Sequence, residues 1–170
     1  SVGVFIVPRA SPAHSVFDLV GRRVAWSPYD TSSATLGHIA VEGLGLDHER
    51  HFVPLGRASL AASLAASLQA MQEQRVDGIW LVATIEDLRA ALERVAGRAI
   101  GFSAGQLERI RRRHPQLRAH EIPLGAGEIE DGEIEDGLIR SVATSNLVVA
   151  HSGLPDEVEY RIAMTLTAPA

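Results

Sequence analysis

The chain has 170 residues, 46% of them apolar and 22% charged, with a formal net charge of -5 and a pI near 5.8. That length suits one well-cored domain, or two small lobes sharing crossing strands, and the composition is that of a folded globular protein. The acidic balance argues against a nucleic-acid partner, and zero cysteines exclude disulfides, thiolate metal sites and cysteine nucleophiles.

The first predicted element is a strand, because Val2, Val4, Phe5, Ile6 and Val7 form an apolar, largely β-branched run that Pro8 ends by withholding a backbone N–H. Val16 to Leu19 makes a short helical turn, broken by Gly21, and Arg22 to Trp26 a second strand closing at Ser27 and Pro28. The polar loop Tyr29-Asp30-Thr31-Ser32-Ser33 supplies several N-caps for a helix over Ala34 to Glu42, which Gly43 and Gly45 stop. Ser59 to Gln72, with leucines spaced by three and four among small residues, is a close-packed helix.

Val76 to Val82 is another buried strand. Thr84, with Asp87 three residues on, starts a helix that runs to Val95. A weaker strand is expected at Ala99 to Phe102, followed by a helix from Ala104 to Arg113 that stops before Pro115. The Arg109, Arg111, Arg112 and Arg113 cluster on it reads as a solvated face. Glu121-Ile122-Pro123 leads into an acidic, glycine-rich repeat at 127–137, which reads as a solvated hairpin or loop rather than a calcium loop. Ile139 to Val149 is strand-like, and Pro155 to Leu166 is a helix. Strands alternating with helices of about ten residues define an α/β class, with a parallel-rich sheet flanked by helices.

No window approaches the roughly 18 consecutive apolar residues of a membrane span, so direct membrane insertion is not expected. The opening residues carry no basic, then apolar, leader. The chain is therefore expected to be cytoplasmic or a trimmed secreted form, and the strand beginning at Val2 favours trimming.

In α/β sheets, ligands bind beyond the carboxyl ends of the strands, where helix N-termini present unpaired amides and a partial positive charge. Two loops qualify: Ser27 to Ser33 and Ala83 to Glu86. Tyr29, Thr31, Ser32, Ser33 and Thr84 are candidate contacts for a carboxylate or phosphate, although the hydroxyls serve equally well as plain N-caps. Arg9 reads either as a solvated charge or as a partner for a carboxylate, and Trp80 either as core or as cleft lining. Asp77 reads as structural. His48-Glu49-Arg50-His51 has one residue too few between its histidines for the zinc-protease spacing, and the other histidines recur at no regular interval. No cofactor, resident metal or catalytic pair is expected.

The order of several segments resembles the receptor proteins of TAXI-type TRAP transporters. Val16-Phe17-Asp18-Leu19-Val20-Gly21-Arg22-Arg23-Val24-Ala25 is similar to their "sl-DL-x-GK-x-V" entry into the second lobe. Thr31 and Ser33 fall on the hydroxyl positions of a G-x-x-G-S-G-T loop, while Asp30 and Ser32 stand where that loop has glycines. Val76-Asp77-Gly78, His120 to Ala126, Ser145 to Ala150 and Leu154 to Tyr160 resemble later family segments in the same order, but the tyrosine after "ip-a-g" is replaced by the acidic repeat.

The resemblance implies a type 2 periplasmic-binding architecture that lacks most of its first lobe. Residues 1–15 would form a strand and crossing segment from that lobe, 16–122 the second α/β lobe, and 123–170 a return segment and C-terminal helix. It further implies a periplasmic receptor, not an enzyme, that captures a small organic anion such as glutamate or another carboxylate and hands it to a TRAP permease. Two other classes remain in view: a cytoplasmic effector-binding domain of a regulator, and an enzyme acting on a phosphorylated small molecule.

Overall fold

A computed structural model describes residues 2–26, 31–53, 64–124, 138–144 and 151–167. The elements run in the order β1 (Val2–Pro8), a 3-10 turn (Val16–Leu19), β2 (Val24–Trp26), α1 (Ser32–Gly43), α2 (Leu64–Gln72), β3 (Gly78–Ala83), α3 (Ile85–Arg94), β4 (Gly97–Ile100), α4 (Ala104–Arg113), β5 (Arg118–Pro123), β6 (Leu138–Ala143) and α5 (Asp156–Thr167). The helix expected to begin at Ser59 is described only from Leu64, because 54–63 lie outside the described residues. So do the acidic repeat and residues 145–150 of the last strand-like run.

The strands form one six-stranded sheet in the order β2-β3-β1-β6-β5, with β4 also paired to β1. Strand β1 lies antiparallel to β3, β4 and β6, while β2 and β3 are parallel. Four strands, β2, β3, β4 and β6, therefore point the same way, and β1 and β5 run against them. The far edge of β1 is shared: Phe5 to Pro8 pair with β4, and Val2 and Gly3 pair with Val142 and Ala143 of β6. Ser141 secures this splice by donating its hydroxyl to the Gly3 carbonyl, and Phe102 N–H bonds the Arg140 carbonyl at 2.8 Å.

Because side chains alternate across a strand, β1 feeds two cores. Val2, Val4 and Ile6 pack with Leu68 and Met71 of α2 and Leu88 and Leu92 of α3 on one face. Phe5 and Val7 pack with Leu36 and Val41 of α1 and Leu107 and Ile110 of α4 on the other. The result is a three-layer α/β fold in which every β1 residue from Val2 to Val7 is buried. Helix α5 differs: Val158, Tyr160, Ile162, Met164 and Leu166 are all exposed.

Local chemistry explains where elements stop. At the end of α1, the Gly45 N–H bonds the Glu42 carbonyl and the Leu46 N–H bonds the Val41 carbonyl, with Gly45 at φ 86°, a Schellman cap that suits glycine. Two arginines of the basic run also serve this helix end: Arg109 donates to the Leu44 carbonyl at 3.0 Å and Arg113 to the Glu42 carbonyl at 2.8 Å. Arg112 pairs with Glu108. The expected solvated face is thus partly a cap for the neighbouring helix.

Candidate functional site

The shared direction of β2, β3 and β4 points their carboxyl ends the same way along the sheet: β3 runs on to Ala83 opposite Val2, while β2 and β4 end at Trp26 and Ile100, level with Phe5. Each of these three strands is followed by a helix with a hydroxyl N-cap. Thr31 accepts from the Ala34 N–H at 3.2 Å, Thr84 from the Asp87 N–H at 3.2 Å, and Ser103 from the Gln106 N–H at 3.2 Å.

These helix ends differ in charge. The first turns of α1 and α4 contain no acidic residue, whereas α3 begins with Glu86 and Asp87. The Thr84 hydroxyl also donates to the Asp87 carboxylate at 2.8 Å, so it is already engaged as both donor and acceptor. Carboxylates in a first turn offset the positive end of the helix. An anion is therefore favoured at α1 and α4 over α3, which weakens the expected role of Thr84. Ser103 was missed by sequence reasoning because the preceding strand was weak, but the spacing of Ser103 and Gln106 carries a capping-box signal, and the Ser103 N–H indeed bonds Gln106 Oε1 at 2.9 Å.

Among the expected contacts, Thr31, Ser32 and Ser33 come together at the start of α1, with Thr31 and Ser33 half-buried and Ser32 exposed. Tyr29 lies outside the described residues. Arg9 does not join them. It follows Pro8, which pairs with Gly97 at the amino end of β4, so it lies beyond the end of β1 that faces the amino ends of β3 and β4, away from the carboxyl ends of β2 and β4, which stop level with Phe5. Trp80 does not line a surface either. It is 1% exposed in the core, and its Nε1–H donates to the Ser33 carbonyl at 2.8 Å.

Asp77 is structural, as expected: it binds the Arg23 guanidinium through both oxygens, at 3.0 and 2.8 Å, and accepts the Arg23 backbone N–H at 2.9 Å. These bonds hold its carboxyl below the ordinary aspartate range. It lines an open cavity of about 690 Å³ with Arg22, Gln72 and Met71, next to Pro8 and thus at the sheet edge opposite Thr31. His51 is occupied locally, its Nδ1 accepting the Asp47 N–H at 2.8 Å. Among the described residues, no group of three or more His, Asp or Glu is placed to hold a metal ion. The fold does gather two histidines that no spacing rule had joined: the His38 and His48 rings stack 3.5 Å apart, 11° from parallel, against Trp26. Burial, then the neighbouring His48, pushes the His38 pKa down to about 4.

The three-layer α/β fold, with helix N-termini along the carboxyl edge of its sheet, defines a class of protein in which that edge is the natural ligand side. Within it, the chain belongs to the NMT1-like family, whose model matches residues 2–167. Among solved structures it is similar to the periplasmic aliphatic sulphonate binding protein SsuA of Escherichia coli, at 24% identity over 58% of this chain, with a TM-score of 0.44. The chain spans 29% of the length of that protein. A search of curated proteins returned no match. No described helix is long and apolar enough to cross a membrane.

Proposed function

We propose that this chain is one lobe of an extracytoplasmic solute receptor, and that the N-terminus of α1 holds the anionic group of a small organic anion. The observation that carries the reading is the charge contrast at the carboxyl edge. Thr31, Ser32 and Ser33 open a 12-residue helix with no acid in its first turn, while the helix after β3 is offset by its own carboxylates. Neutral hydroxyls and oriented amides suit a carboxylate, sulfonate or phosphate. Ser103 at the head of α4 is a second donor position on the same edge.

In this proposal β1 and the segment around Ile139 to Thr144 are the crossing segments to a partner lobe, which closes over the ligand by hinge motion. The receptor works in the periplasm without a cofactor and hands its ligand to membrane permease subunits. The segments that resemble TAXI-type receptors, from Val16 to Ala25 onward, favour a TRAP permease and a glutamate-like carboxylate.

The test is a thermal-shift screen of the full-length protein against amino acids, dicarboxylates, aliphatic sulfonates and small phosphates. Binding to the native state alone stabilises by about 2.7 kcal/mol at a hundredfold excess over Kd. The expected result is a shift with a carboxylate, lost in the Thr31→Ala, Ser33→Ala double variant and kept in Thr84→Ala, whose hydroxyl is engaged by Asp87. No shift from any solute, with turnover of a phosphorylated compound, would overturn the proposal in favour of an enzyme.

A further inference from the structure

We infer that Trp80 is the positioning residue of the anion site: its buried indole fixes the first turn of α1 to the sheet and so holds Thr31 to Ser33 in a binding-ready orientation. This rests on the function proposed above and adds a residue that does not itself touch the ligand.

The indole sits in a slot made for it from two sides. Gly3 of β1 and Gly37 of α1 both lack a side chain where the ring lies: a Cβ on Gly3 would stand 2.3 Å from Cζ2, and one on Gly37 2.7 Å from Nε1. Both distances are far inside van der Waals contact, so any larger residue at either position would displace the ring. The Phe5 ring packs edge-on against it, 4.8 Å between centroids. With the ring fixed this way, its single N–H points at the Ser33 carbonyl at 2.8 Å. That bond joins the middle of β3 to the opening turn of α1.

The chemistry of the bond explains why it matters at this point. A buried indole N–H left without an acceptor is costly, so the folded state favours the one α1 position that satisfies it. The first turn of a helix is also where its own hydrogen bonds are incomplete and where it frays. Trp80 supplies from the core the restraint that the helix cannot supply itself. A hydrophobic ring without the N–H would fill most of the slot and leave that turn untethered.

The test uses the full-length protein and the variant Trp80→Phe, with Phe5→Leu as a control that loosens the same core, its packing against α1 included, but keeps the Trp80 Nε1–H donor to the Ser33 carbonyl. Amide hydrogen exchange is followed at Ala34 and Thr35 and, for comparison, at Ile6 and Leu81. The expected result is exchange about five- to tenfold faster at Ala34 and Thr35 in Trp80→Phe than in Phe5→Leu, once both are normalised to the strand amides, which is what one lost hydrogen bond gives. Glutamate, methanesulfonate and inorganic phosphate, each tested alone, should bind Trp80→Phe about five- to tenfold more weakly than the control.

Equal exchange at Ala34 and Thr35 in the two variants overturns the inference. Faster exchange with none of the three probes bound by the wild type leaves the tether standing and removes the anion-site reading beneath it. Should Trp80→Phe fail to fold, the Nε1–H resonance of Trp80 in the wild type decides. It should be protected from exchange and shift on addition of the bound probe; an unprotected or unshifted resonance overturns the inference.

Discussion

Single residues here act through what they face rather than through their type. His38 lies on α1 and His48 in the loop that follows, and the fold stacks their rings against Trp26, where protonation is resisted by burial and by the other ring. The His38 pKa of about 4 lies below the ordinary value of 6.5. Between those values the unfolded chain binds more protons than the folded one, so stability is full above about pH 6.5 and declines as the pH falls toward 4. We expect a lower melting temperature at pH 5 than at pH 7.5, and His38→Gln should flatten that difference; an unchanged slope would remove His38 from the acid response. The same residue-scale logic shows what was legible in the candidate site. Thr31 to Ser33 could be read from capping preferences alone. Arg9 could not be placed, because the direction in which β1 runs against its neighbours has no local signature, and Trp80 could not be assigned because only the fold reveals the two glycines that enclose it.

Helices α1 and α4 approach each other where Gly43 meets Ile110, and a Cβ built on Gly43 would stand 2.8 Å from the Ile110 Cα. Because that atom is backbone, the helices themselves would have to part. Gly43→Ala should destabilise the protein by about 1–3 kcal/mol, in line with overpacking elsewhere. Gly105, in the first turn of α4, has open space around its Cα, so Gly105→Ala should stabilise by about 0.5–1 kcal/mol through helix propensity. Chemical denaturation of the two variants checks both signs, and a loss of stability in both would contradict the packing argument.

Element by element, legibility tracks burial. Strands β1 and β3 announce themselves because both faces are covered, and α4 falls at its expected bounds because its cap and the following proline frame it. Strand β5 carries little sequence signal since, of Arg118 to Pro123, only Ile122 is buried. Strand β4 was expected two residues late because Arg98 interrupts its apolar run. In the fold Arg98 is 2% exposed, donating to the Ser11 and Ala13 carbonyls.

At the scale of the whole molecule, the sheet is assembled from distant parts of the chain. Val2 pairs with both Ala83 and Ala143, and Pro8 with Gly97. Such long-range pairing has to close large loops before it is rewarded, which places folding in the millisecond-to-second range rather than the microsecond range of helical bundles. Stopped-flow refolding followed by tryptophan fluorescence checks this, and a dominant sub-millisecond phase would contradict it.

The order of synthesis gives the central position of β1 a further meaning. The most deeply buried strand is made before any of its partners, and at about 5–20 residues per second a ribosome needs several seconds to travel from Pro8 to the start of β3 at Gly78. During that interval the run Val2 to Val7 has none of its partner strands β3, β4 and β6 to pair with. It is then an apolar, β-prone segment of the nascent chain with its pairing edges open, the kind of run that is prone to aggregate until its partners are made.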